Sequence, residues 1–323
     1  MANVWSVGQR YNALLSNIVV SSSIDGVNWS NVSVSSYPFI SRQQPTSVLW
    51  QNDNLIVASN GGQVAITNVY NQYKNWTSGS CGVDDFGITS LTNVSNYIFA
   101  CGTHHYSRPA DGFPDNTEVA QIFSSPSGNP QTYYMVYTSG IDPSNLYSIK
   151  YIDNLINPII IAVGSQNSTP FIVYSQDNGI SWNEIQVTNL NVSAFYDVEY
   201  YNGKWYFGCN GFIAISENFI NGPWTTTEIF GSYLSTVNKI SINPQGQIVA
   251  VTPSKLWFSD NFETWNNFVA EGYNWQSIKW FENKWIAGAD SLLTQYNLWT
   301  SVDTLEWTPL LTTCKSIDFT SDN

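Results

Sequence analysis

A chain of 323 residues with a hydrophobic fraction of 43% can form one large all-β domain or two average domains, and it is too apolar to stay disordered. Charged residues make up 11% and aromatics 15%, and the formal net charge of −13 repels phosphate backbones and anionic membranes, which argues against a nucleic-acid partner. No apolar run reaches the length of a spanning helix, so no membrane insertion is expected.

In chain order, the opening MANVWSVGQR has neither a basic n-region nor an apolar h-region, so no secretory signal is visible and localisation stays open. Short Val/Ile/Tyr/Trp runs then alternate with Asn/Gly/Ser/Pro clusters throughout, a β pattern without helical periodicity. SIDGVNW ends at Trp29, TNVYNQYKNW at Trp76, and SSPSGNPQTY at Tyr133. SQDNGISW ends at Trp182, SENFINGPW at Trp224, SDNFETW at Trp265 and SVDTLEW at Trp307. These seven anchors recur with a period of about 46 residues, as four-stranded β-propeller blades do.

The blade around Trp224 can be laid out in full. Its strands are expected near Tyr196–Tyr201, Lys204–Cys209 and Phe212–Ser216, with a fourth beginning at Trp224 and an Asn-Gly hairpin between the first two. CKSIDFTSDN at the C-terminus matches only a first strand, and the N-terminus matches everything from the second strand onward. The expected fold is therefore an all-β, seven-bladed propeller of four antiparallel strands per blade. Residues 1–323 form one domain, whose closing blade is built from about 1–35 plus 314–323.

The motif S-x-D-x-G-x-S/T-W, complete at residues 175–182, resembles the Asp box, or bacterial neuraminidase repeat. The chain is similar over its whole length to the Asp-box propellers, which include sialidases, sortilin-type receptors and photosystem assembly factors. The chemistry of Ser175, Asp177 and Gly179 suits a structural turn between third and fourth strands, with Trp182 packed under a neighbouring blade. One Asp and one Asn offer too few oxygens for a calcium loop. The other tryptophans fall in strands as core, Trp275 alone lying near a loop, so a tryptophan array for sugars is not expected.

Candidate function therefore sits on the opposite face, at the connections from second to third strand and from blade to blade. The most irregular is CGTHHYSRPADGFPDNTEVAQ, read as a long loop carrying His104, His105 and Arg108. With Arg10 and Arg42, expected in loops of the same face, Arg108 makes a candidate cationic patch for an anion or glycan. Adjacent strand histidines point apart, so no metal site is expected at His104 and His105, and no cofactor is implied. Cys81, Cys101, Cys209 and Cys314 fit no zinc spacing and read as buried thiols, with an 81–101 bridge as the alternative.

The expected function is a non-enzymatic recognition or assembly module binding a glycan or a protein, with no catalytic residues assigned. Self-association or membership of a larger assembly fits this reading. One alternative is a sialidase-like hydrolase, which the resemblance implies through an arginine triad, a Tyr–Glu nucleophile pair and an Asp acid. Here the three arginines are not spread across the blades and the family's R-I-P segment is missing. A structural virion or cell-surface component is the other alternative.

Overall fold

The computed structural model describes residues 3–12, 15–32, 43–68, 75–82, 85–106, 117–153, 155–229, 235–290, 297–310 and 318–321. The fold is a seven-bladed β-propeller, each blade a four-stranded antiparallel sheet.

The first sheet contains β1 (Val4–Asn12), β2 (Leu15–Ser23) and β3 (Ser30–Val32). The second is β4 (Pro45–Gln51), β5 (Asn54–Ser59), β6 (Gln63–Asn68) and β7 (Thr77–Ser80). The third is β8 (Phe86–Val94), β9 (Tyr97–Tyr106), β10 (Thr117–Ser125) and β11 (Tyr134–Thr138). The fourth is β12 (Ser144–Ile152), β13 (Ile159–Gln166), β14 (Thr169–Ser175) and β15 (Asn183–Gln186). The fifth is β16 (Asp197–Tyr201), β17 (Lys204–Gly208), β18 (Phe212–Ser216) and β19 (Trp224–Glu228), matching the sequence layout to within a residue. The sixth is β20 (Lys239–Ile242), β21 (Ile248–Thr252), β22 (Lys255–Ser259) and β23 (Asn266–Phe268). The seventh is β24 (Asn274–Phe281), β25 (Lys284–Asp290), β26 (Leu298–Ser301) and β27 (Thr308–Leu310). The last strand, β28 (Asp318–Ser321), completes the first sheet by pairing with β1, Val4 opposite Ser321.

The chain divides into two compact units, Met1–Ser33 with Tyr196–Asn323, and Val34–Phe195. In each unit the apolar cores lie between successive sheets. In the Val34–Phe195 unit, Leu49, Ile56 and Val64 of the second sheet pack against Phe86, Ile98 and Phe123 of the third. Phe99 and Ile122 of the third sheet pack in turn against Leu146, Phe171 and Val173 of the fourth. In the other unit Tyr206 and Ile213 meet Ile240 and Ala250. Val249 and Leu256 join a cluster of Trp275, Trp285, Trp299 and Trp307. Alternation along each central strand buries both faces, which is why β5, β13 and β21 read as nearly continuous apolar runs. Trp275, expected near a loop, is a fully buried residue of β24, because the first strand of that blade starts earlier than its polar flank suggests.

Polar side chains tie neighbouring sheets together at the same level. Leu91 N donates to Ser47 Oγ (3.2 Å), Ala120 N to Ser144 Oγ (2.9 Å) and Ile240 N to Asp197 Oδ2 (3.0 Å). These bonds satisfy backbone donors that the ladders leave over. They explain why a core this apolar still contains Ser47, Ser144 and Asp197 at 2% exposure or less.

Candidate functional site: a polar cleft among the hairpin turns

The repeated turn at 175–182 is held by its own side chains. Ser175 Oγ donates to Asp177 Oδ1 (2.8 Å) and accepts from Gly179 N (2.8 Å), while Ser181 N and Oγ donate to the two oxygens of Asp177. Trp182 Nε1 donates to Gly179 O (3.2 Å), and its indole meets Phe99 edge-on and Tyr137 at a tilt, both in the preceding sheet. Gly179 has φ +86°, and a Cβ there would lie 2.4 Å from the Phe99 ring, so glycine is required twice over. The Ser181 hydroxyl and N–H hold the Asp177 carboxyl down at about 2.

The degenerate copies keep this arrangement. Asp25 accepts from Val27 N and Asn28 N, and Asp303 from Leu305 N and Glu306 N, both carboxyls being lowered by those N–H groups. Asn261 accepts from Glu263 N and Thr264 N, and Asn218 from Ile220 N and Asn221 N. In the weak copy before Tyr133, Ser125 Oγ accepts from Gly128 N and Asn129 Oδ1 from Gln131 N.

The structure moves the candidate histidines out of a loop. His104 and His105 belong to β9, which stays paired with β10 as far as Tyr106 opposite Thr117. Alternation buries His104 against the Tyr106 ring (3.9 Å between centroids) and exposes His105, whose Nδ1 lies 3.4 Å from Glu118 Oε1. The two imidazoles thus face opposite sides of the sheet. Arg10 is likewise in a strand, β1, opposite Asn17 of β2, and its side chain lies outside the described residues. Arg42 and Arg108 also lie outside them. Cys81, Cys101 and Cys209 are buried free thiols, so the 81–101 bridge is absent; Cys314 is outside the described residues. Burial pushes the Cys209 thiol up to about 12 and raises Cys81 as well.

The third sheet departs from the others at its edge. Its outer strand β11 reads YMVYT, whereas the other fourth strands read SNV, TSGS, NEIQ, WTTTE, NNF and TPL. Tyr134 and Met135 are each about half exposed (51% and 50%), and Ile141 beyond them is exposed too.

A cleft of about 370 Å³ opens among four turns of the sixth and seventh sheets. Asn243, Gln245 and Gln247 come from the β20–β21 turn, Asp260 from the turn after β22, Trp280 and Asn283 from the β24–β25 hairpin, and Val302 from the turn after β26. The β20–β21 turn is folded around Asn243, whose Oδ1 accepts from Gln245 N (3.1 Å) and Gln247 N (2.8 Å). Gln247 is clamped at both ends: Oε1 accepts from Trp285 Nε1 (2.9 Å), and Nε2 donates to Asp260 Oδ1 (2.7 Å) and Thr304 Oγ1 (3.3 Å). Glu282 and Asn283 form a two-residue hairpin with both φ positive (48° and 60°). The cleft lies at the strand ends that carry the Ser–Asp turns, the end that sequence reasoning set aside as scaffold. One signal for it is visible in the sequence: NPQGQ between β20 and β21 replaces the two-residue turn found in neighbouring blades.

No family model matches the chain, and no curated protein matches it. Among solved structures it is similar to Saccharomyces cerevisiae Sqt1, at 11% identity over 97% of this chain and 86% of that one, TM-score 0.62. It is similar to YCF48 bound to a D1 peptide, at 12% identity over 82% and 80%, TM-score 0.57. It is also similar to the computationally designed Ika8 protein, at 12% identity over 97% and 89%, TM-score 0.53. At these identities the likeness is one of fold, a β-propeller like those of YCF48 and Sqt1.

Proposed function

We propose that the protein is a non-enzymatic recognition or assembly module whose partner is a protein, engaged by the blade of β8–β11. The observation that carries this reading is β11, an edge strand that presents Tyr134 and Met135 to solvent where the other fourth strands are more polar or only three residues long. An edge strand offers unpaired N–H and C=O groups to an extended segment, and proteins usually blunt such edges with charge or proline. Tyr and Met are residues that protein interfaces favour. The same blade carries the 107–116 connection between β9 and β10, with the exposed His105–Glu118 pair at its base. The YCF48 structure, similar in fold, is one with a peptide bound. The Ser–Asp turns support reading the chain as one of the Asp-box propellers.

The test is a double variant, Tyr134→Lys with Met135→Lys, beside the control Thr226→Lys on the exposed part of β19. A photo-crosslinking residue at the exposed position 138 in the native host identifies the partner. The Lys pair is expected to cut its recovery at least tenfold with no change in Tm, while the control leaves it intact. Undiminished recovery from the Lys pair would remove the reading.

A further inference from the structure

We infer that the cleft among the β20–β27 turns binds a neutral carbohydrate, at a site separate from the protein surface proposed on β11. Its shape comes first. At about 370 Å³ it sits at the small end of ligand sites, roughly 300–1,000 Å³, with room for a mono- or disaccharide. One wall is aromatic: Trp280 is half-buried, held by an edge contact with Trp285 (ring centroids 4.9 Å, 66°), and its indole N–H meets no protein acceptor among the described residues. A half-buried indole with an open N–H suits a ligand that is apolar on one face and hydroxylated at its edge.

The polar groups opposite are already oriented. Because Asn243 Oδ1 is committed to two backbone N–H groups, its Nδ2 is the end left to donate, on a side chain only 5% exposed. Asp260 gives Oδ1 to Gln247, which leaves Oδ2 as an acceptor without a donor among the described residues. The side-chain amides of Gln245 and Asn283 have no partner among the described residues either. Hydroxyl groups both donate and accept, so a polyol can satisfy an array of amide donors and one carboxylate acceptor at once. Other ligand classes fit less well. Among the described residues no Lys or Arg lines the cleft, and Asp260 repels anions. A quaternary ammonium needs an aromatic cage, and here there is one indole. A purely apolar ligand would leave five polar lining residues desolvated.

The probes are five neutral disaccharides, maltose, cellobiose, lactose, chitobiose and mannobiose, each read by saturation-transfer NMR against the full chain. At least one is expected to bind with a Kd of roughly 1 mM or tighter. Asp260→Asn, which keeps the acceptor for Gln247 but removes the charge, and Trp280→Ala should each weaken that binding at least tenfold. The Tyr134→Lys/Met135→Lys pair should leave it unchanged, so the two readings fail separately. A protein that binds none of the five, or whose binding survives undiminished in both cleft variants, overturns the assignment. Asp260→Asn is near-isosteric, so its result stands even where Trp280→Ala unfolds the blade.

Discussion

At the residue scale, the acceptor of the Ser–Asp turn needs an oxygen more than it needs a charge. Asp25, Asp177 and Asp303 each receive backbone N–H groups, and Asn218 and Asn261 receive the same pair at the same place. That equivalence is why the copies at Asn218 and Asn261 can lose the aspartate and still form the turn. Asp177→Ala is expected to cost about 1 kcal/mol in urea unfolding at pH 7, and Asp177→Asn roughly half of that or less. The pH dependence separates charge from shape. The folded carboxyl is held at about 2 against an ordinary 3.8, so its contribution is complete above pH ~4 and is lost as pH falls toward 2. The gap between wild type and Asp177→Asn should therefore close over that window. A gap that is constant with pH would mean that the ionised and the protonated carboxyl serve the turn equally. The effect is small, since Asp177 is partly exposed.

At the scale of strands, four first strands carry one extra residue against their second strand. Register slips between Pro45 and Ser47 in β4, Ile88 and Ser90 in β8, Leu146 and Ser148 in β12, and Trp275 and Ser277 in β24. These bulges bring backbone against backbone, and glycine sits opposite two of them: a Cβ on Gly102 would lie 1.9 Å from Gly87 O, and on Gly164 1.8 Å from Asn145 O. Gly164→Ala should destabilise by about 3 kcal/mol or prevent folding, because a peptide carbonyl cannot swing aside as a side chain can. Gly203→Ala, where a Cβ meets nothing within 4 Å but φ is +82°, should cost only about 1 kcal/mol. Equal losses at the two positions, measured by thermal unfolding, would mean that the bulge is not what demands Gly164. Strand boundaries were legible where turn chemistry marks them, as at Asn202–Gly203. They were misread at His104 and His105, where polar side chains suggest a loop although one simply faces out of a ladder that continues.

At the scale of the molecule, 11 basic residues are set against 24 acidic ones, and cohesion comes from apolar contact and neutral polar bonds between sheets. Self-repulsion at −13 opposes compaction, so raising salt from about 10 mM to about 300 mM should lift Tm by a few degrees through screening. A drop in Tm would point to attractive pairs that outweigh the repulsion. The architecture was readable because most blades repeat a local signal, a hydroxyl, an acceptor and a tryptophan within about eight residues. The cleft was harder to read, because its lining is gathered from four turns spread between Asn243 and Val302, of which only NPQGQ departs from its neighbours.

The pairing of Val4 with Ser321 has a consequence for biosynthesis. Three strands of that sheet leave the ribosome before the other blades, and the fourth only after them. The early segment must therefore wait, with one edge of its sheet bare, while every other blade is made. Completion of that sheet is thereby tied to synthesis of β28, and a chain stopped just before Asp318 would leave β1 without its partner.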